Sequence, residues 1–344
     1  MTDPVRGDPA RPGRHPGEGS DQPAGSATVA RPRSPVAEAL TRFGPWLVAI
    51  AILVFFLARI PIDEVVAALA QVTIAHLILV AVLFIVGVIS ADSLAIWVAL
   101  RAAAPDRRLP YGAILRVRGA SALFALISYA AGQGGVVYLL RRYHGLAVST
   151  GAGAILLATG AFLIAVAVAI SAGVLAGALP ERGELTAATV AMLAGSALYL
   201  VIIRWRPRRL LQSRWLSPFF TAGVLGTLRV TGVRSVHLAI LMAGHFTAMW
   251  LFGIEVPISV ALAGLPVLFL VAALPISPSG LGTTQAAAIT LFSSFAPGSS
   301  EQARQATVLA YSLAFQVTGT LVVAIVGMIC LRSLQTIGPQ PSTQ

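Results

Sequence analysis

The sequence predicts an all-α polytopic membrane protein, and three observations carry that expectation. Hydrophobic residues make up 57% of the 344-residue chain and charged residues only 11%, against about 25% charged in soluble domains. Mean hydropathy is +0.84. The apolar residues fall in long unbroken runs, not in the alternating segments of a transmembrane barrel. Arginines separate the runs, so the net charge of +11 reads as a set of topology determinants and not as a nucleic-acid footprint.

Composition narrows the chemistry. All 24 basic residues are arginine, which removes Schiff-base lysines and lysine-dependent phosphate loops. The single cysteine, Cys330, leaves no internal disulfide and no cysteine metal cluster. The five histidines contain no His-x-x-x-His pair, so no zinc-helix motif is present. No cofactor and no metal are expected.

Taken in order, residues 1–43 are rich in Pro, Gly, Ser and Arg without apolar periodicity, and are expected to be a disordered cytoplasmic tail. Residues 44–332 form the membrane domain and 333–344 a short polar tail. The first span, Pro45 to about Ile60, acts as an uncleaved anchor. Arg31, Arg33 and Arg42 precede it and Asp63 and Glu64 follow, which puts the N-terminus in the cytoplasm. A second span, about His76 to Leu100, returns the chain to an arginine-rich loop.

The next apolar stretch, Gly119 to Leu140, is interrupted by Ser128–Gly135 and closed by Arg141 and Arg142. It is long enough to cross the bilayer. A hairpin that goes back the way it came keeps both arginine clusters on one side, and is the favoured reading. Spans at about Val148–Leu179 and Thr186–Ile203 follow, with Gly173 and Gly177 as a close-packing pair. The segment from Arg204 to Arg234 holds seven arginines and no acid. It reads as a cytoplasmic loop with snorkelling arginines, Leu210, Leu211, Trp215 and Leu216 lying in the headgroup layer.

Two further spans, about Ser235–Ile254 and Pro257–Leu274, lead to a second interruption, Pro275–Gly282. Two prolines and two glycines there make a continuous helix costly. In hydrocarbon, freed backbone groups are tolerated only against protein or a water-filled cavity, so a break at membrane depth points to a binding or transport site. The chain continues as Thr284–Phe295, expected to cross, and ends in a span from about Gln305 to Leu331. That makes about eight transmembrane helices plus a re-entrant, broken pair. Both interruptions hold Ile-Ser, small residues, glycines and a glutamine, the pattern of an inverted repeat in a duplicated transporter.

Asp92 is the only acid well inside an apolar run. Such a group marks a charge or proton pathway, or else pairs with an arginine such as Arg116 or Arg118. His245 lies mid-span, suited to an interhelical hydrogen bond or to proton transfer. Gly132, Gln133 and Gly134 of the first break, and Pro278, Ser279, Gly280, Gly282 and Gln285 of the second, are candidate substrate-binding residues. The two glutamine amides suit either a headgroup or the carbonyls that a break frees. Arg141 and Arg142 suit a lipid phosphate held by two hydrogen bonds, or plain anchoring. No catalytic residue stands out: an intramembrane transferase needs clustered acids, and the chain is not expected to be an enzyme.

At these residues the chain resembles the transmembrane region of lysylphosphatidylglycerol synthases, bacterial proteins also described as flippase-like. The resemblance rests on Leu274-Pro275 through Pro278-Ser279-Gly280-Leu281-Gly282-Thr283-Thr284-Gln285, and on Gly132-Gln133 with Tyr138 through Arg142 and Gly145. Ser279 stands where the family often has a glycine, and Gln133 and Gln285 stand where it has acids. The resemblance implies re-entrant segments in the cell membrane that move a phospholipid or lipid-linked headgroup between leaflets, with membrane lipids as partners. Its runner-up is a non-transporting partner or regulator of a separate lipid-modifying enzyme or glycosyltransferase. No long polar domain follows Leu331, so the aminoacyl-transfer domain of the full-length synthases is not expected.

Overall fold

A computed structural model of the chain describes residues 50, 52, 54–55, 59–106, 108–177, 183–206, 212–213, 215–274, 277 and 280–338. The predicted N-terminal tail, residues 339–344 of the predicted C-terminal tail, most of the first span, Leu210, Leu211, Pro278 and Ser279 lie outside the described residues; the start of the C-terminal tail, to Gln335, continues the last helix. Among those described, ten α-helices and no strand are found: α1 Ile62–Ala70, α2 Ile74–Ala103, α3 Tyr111–Ala125, α4 Tyr129–His144 and α5 Val148–Leu175, then α6 Gly183–Trp205, α7 Ser217–Leu251, α8 Ile258–Ala273, α9 Thr283–Phe292 and α10 Glu301–Gln335. The long helices α2, α5, α7 (over Phe219–Leu251) and α10 are apolar and long enough to cross a bilayer.

Two clusters of buried side chains define the two ends of the bundle. One joins Ile60 and Val65 to Phe252, Val256, Ala296 and Leu309. It gathers the start of α2, the end of α7, the chain flanking α8 and α9, and the start of α10. The other joins Ala103, Tyr143, Leu146 and Leu334, with Leu109 and Phe219 packed on it. It gathers the end of α2, the feet of α3 and α4, the start of α7 and the end of α10. The long helices therefore run between an Ile60 end and a Leu334 end.

Helices α3 and α4 form the hairpin favoured from the sequence. A continuous rod would hold Phe124 and Gly135 about 16 Å apart. Instead a Cβ on Gly135 would fall 2.7 Å from the Phe124 ring, so the chain reverses between them. Ser128 makes the turn workable: its backbone is extended and its Oγ accepts from the Ala131 N–H at 3.1 Å, capping α4. At the far end Gly145, in the left-handed region at φ 61°, terminates α4 and leads back toward α5.

Helices α8 and α9 form a second hairpin, rooted at the Ile60 end. The Glu255 N–H donates to the Phe295 carbonyl at 3.2 Å, which ties the two feet together. Gly264 admits the Phe292 ring so closely that a Cβ would sit 3.0 Å from it. Here the structure corrects the expected crossing by Thr284–Phe295. At 10 residues, α9 is about 15 Å long, half of the roughly 30 Å hydrocarbon core, and it folds back along α8.

A second correction concerns Arg204–Arg234. Helix α7 begins at Ser217 and runs 35 residues, with a kink at Gly223 (φ 62°). Arg229 and Arg234 thus belong to a helix and not to a loop, while Trp215 is exposed just before it. Of the predicted close-packing pair only Gly173 is in place, its Cα facing the backbone of α8 where a Cβ would lie 2.6 Å from the Ala263 nitrogen, while a Cβ on Gly177 would meet nothing within 4 Å among the described residues.

Candidate functional site

The two hairpins enter from opposite ends and their tips converge. Ala125 and Leu126, at the tip of the first, and Ala272, Thr284 and Ala288, of the second, line one cavity of about 310 Å³. A second cavity of about 340 Å³ lies beside it and shares Val88, Arg118, His245 and Ala272 as walls. Tyr129 and Gln133, in the first two turns of α4, face this second space together with Ala272 and Ala273 of α8. The first interruption therefore opens on this central chamber, and the residues flanking the second, Ala272, Ala273 and Thr284, wall it.

A charge cluster forms one wall. Asp92 of α2 is 3% exposed and bridges two guanidiniums, pairing through Oδ2 with Arg118 Nε of α3 and through Oδ1 with Arg234 Nη1 of α7. Arg118 was among the partners expected from the sequence; Arg234 was missed. Arg234 Nε also donates to the Ala158 carbonyl of α5 at 3.0 Å, so this one cluster ties α2, α3, α5 and α7 together. Charges so deep are sustained only when paired and hydrogen-bonded. A carboxylate spanning two guanidiniums works as their counter-ion, and a proton-carrying role would have to break both pairs.

His237, one turn beyond Arg234, is the other residue that sequence reading passed over. It is 7% exposed and lines the second cavity. Its Nδ1 is buried without a hydrogen-bond partner among the described residues. Its spacing from Arg234 on one helix was the available signal. His245 faces both cavities. Its Nδ1 is hydrogen-bonded to the Tyr311 hydroxyl at 2.7 Å, and the rings of Phe84 and Phe315 approach edge-on. The expected interhelical bond, α7 to α10, is what it makes.

The candidate binding residues separate into three groups. Gln133 lines the chamber; beside it Gly132 is buried against Ala125 while Gly134 is exposed. Gln285, 1% exposed, is turned inward instead. Its Oε1 accepts the Gly282 N–H at 2.6 Å, and its Nε2 donates to Gln316 Oε1 of α10. Its partners are a backbone N–H of the break and a side chain of α10, not the freed carbonyls expected, while Gly280 (φ 73°) and Gly282 (φ 83°) make the turn into α9. Arg141 and Arg142 are exposed in the last turn of α4, about 12 Å along the helix from Gln133. They line neither cavity, and Arg142 Nη1 donates to the Tyr138 hydroxyl at 2.7 Å.

The family described as "Lysylphosphatidylglycerol synthase TM region" matches residues 43–327. The chain belongs to that family. No curated protein and no solved structure matches it. Family membership, together with the apolar spans, identifies a multi-pass membrane protein with a role tied to membrane lipids. Both hairpins fall inside the matched range, and so do all three members of the charge cluster. Among the described residues no group of His, Cys, Asp or Glu is arranged to hold a metal.

Proposed function

We propose that the chain is a lipid translocase that passes a headgroup through the central chamber while the acyl tails stay in the bilayer. The observation that carries this is the opposed hairpin pair. Each hairpin closes the chamber from one end of the bundle, and Leu126 of one and Ala272 of the other wall the same cavity. A barrier made of two short hairpin tips is thinner than a full span, and small movements of either tip open it to one leaflet. Re-entrant backbone of this kind is tolerated at membrane depth where it lines such a cavity.

On this reading the protein sits in the cell membrane with its N-terminus in the cytoplasm. Arg101, Arg108, Arg141, Arg142, Arg204 and Arg332 lie at the Leu334 end beside a single acid, Asp106, while Asp63, Glu64, Glu255 and Glu301 lie at the other end with Arg59 and Arg304, a positive excess on the Leu334 side that the positive-inside rule assigns to the cytoplasm. The protein makes and breaks no covalent bond; it lowers the barrier to moving a polar headgroup across hydrocarbon.

The test is reconstitution of the purified chain, alone, into sealed vesicles carrying a lipid labelled in one leaflet. Movement of label to the other leaflet is expected without any other protein. A chain that moves no lipid by itself and regains activity only with a lipid-modifying enzyme would instead be a partner of that enzyme.

A further inference from the structure

The charge cluster does not balance. Two guanidiniums face one carboxylate, which leaves one formal positive charge beside a cavity of about 340 Å³. No other acid of the described residues neutralises it, since Asp63, Glu64, Asp106, Glu184, Glu255 and Glu301 all lie at helix ends or in the chain between helices, at the ends of the bundle. A buried charge without a counter-charge is costly, and the cost falls when an anion occupies the adjoining space. His237 carries an independent signal: its buried Nδ1 has no partner among the described residues and its ring lines the same cavity. That nitrogen accepts a hydroxyl proton or, when protonated, donates to an oxyanion.

The remaining lining fits the same occupant. The Gln133 amide offers two donors. The first turn of α4 is presented at this wall by Tyr129, and a helix N-terminus favours negative charge. The rim is open sideways: Tyr129 and Leu163 line the cavity and are 43% and 45% exposed, on the flank that a bilayer covers. An amphiphile can therefore place its polar end here with its tails outside.

We propose that the cavity bounded by Arg118, Arg234, His237 and Gln133 is a subsite for a singly charged phosphate oxyanion, either the phosphodiester of a lipid headgroup or a free phosphate. The inference rests on the translocase reading and gives it a substrate class. Asp92 sets the net charge by removing one of the two arginine charges, while the Ser121 hydroxyl and the Ala158 carbonyl also anchor Arg118 and Arg234. The site therefore rewards a single negative charge.

The test titrates the purified full-length protein in detergent by calorimetry with dihexanoyl phosphatidylglycerol and, separately, with inorganic phosphate. Arg234→Gln leaves Asp92 and Arg118 as a neutral pair, and binding is expected to weaken about tenfold. Asp92→Asn doubles the excess charge, and binding is expected to tighten about tenfold. A purely structural cluster would weaken binding in both variants, so the opposite signs are the signature. His237→Leu leaves all three charges in place and is expected to weaken binding about threefold or more. It decides the matter if a charge variant does not fold.

Wild-type protein that binds neither probe, Asp92→Asn no tighter than wild type, or His237→Leu equal to wild type would each overturn the proposal. Displacement of the lipid by equimolar phosphate assigns free phosphate as the occupant, and lipid binding that phosphate does not displace assigns the headgroup. Binding with these signs in a protein that moves no lipid removes the translocase reading and leaves the subsite standing. Lipid movement by a protein whose binding ignores all three substitutions does the reverse.

Discussion

Leu126, at the tip of the α3–α4 hairpin, and Ala272, in the last turn of α8, line the same cavity although their hairpins are rooted at opposite ends of the bundle. Long helices that cross from end to end cannot supply such a junction. Two short helices from each side can, because each ends near mid-depth and leaves its polar backbone termini facing the chamber.

The hairpins have no room to spare. A Cβ on Gly132 would lie 2.7 Å from Ala125 Cβ and 3.1 Å from its Cα; one on Gly280 would lie 2.5 Å from Thr284 Oγ1, at a residue whose φ is 73°. Gly132→Leu and Gly280→Leu are each expected to destabilise the protein by about 1–3 kcal/mol and to stop lipid movement while leaving membrane insertion intact. Vesicle transport beside membrane-fraction yield checks this, and transport at the wild-type rate would show that the tips need not fit closely.

The charge cluster predicts a stability cycle. Asp92→Asn strands two buried arginines and is expected to cost about 3–5 kcal/mol. Arg234→Gln leaves the Asp92–Arg118 pair and should cost less. The double variant is expected to be more stable than the sum of the single effects, by at least about 1.5 kcal/mol. Denaturant or thermal unfolding in one detergent measures all four proteins; strict additivity would mean that the two residues do not interact.

Gln285 holds the second break together. Gln285→Ala leaves the Gly282 N–H and the Gln316 amide without their partner at that residue and is expected to cost about 1–3 kcal/mol. Gln285→Glu keeps the acceptor for Gly282 but loses the donor to Gln316, so it should keep the hairpin turn and lose only part of that stability. Thermal unfolding of both variants checks the order, which reverses if the donor matters more than the acceptor.

Topology is open to labelling. In a Cys330→Ser background, single cysteines at the exposed positions Asp106 and Ala147 flank the first hairpin, and those at Glu255 and Ser299 flank the second. A membrane-impermeant maleimide is expected to reach the first pair from one side only and the second pair from the other. Opposite-side labelling within either pair would mean that the segment crosses.

Much of this was legible before any coordinates. Proline, glycine and serine announced both breaks, because a helix interior tolerates them poorly, and the arginines flanking Gly119–Leu140 favoured a reversal there. Asp92 announced itself as a lone acid in an apolar run. Its partners were half legible: Arg118 lies 26 residues away, but Arg234 lies 142 away and sat in a stretch whose arginines look like a loop. Hydropathy scores each charge separately, and so it cannot see that a distant carboxylate makes a buried arginine tolerable. The length of α9 was hidden for a similar reason. Thr284–Phe295 is apolar enough to cross, and only its packing along α8, where Gly264 receives Phe292, reveals that it turns back. For Gln285 the residue type left both a headgroup and freed carbonyls open as partners, and could not show that its amide instead takes the Gly282 N–H and the Gln316 side chain.

The most direct measurement joins the two tips chemically. Leu126→Cys and Ala272→Cys, in a Cys330→Ser background, are crosslinked with a cleavable bifunctional maleimide, and the protein is assayed in vesicles carrying a one-leaflet lipid label. Lipid movement is expected to stop in the crosslinked protein and to resume on cleavage. Undiminished movement with the tips fully joined would contradict passage through the chamber between them.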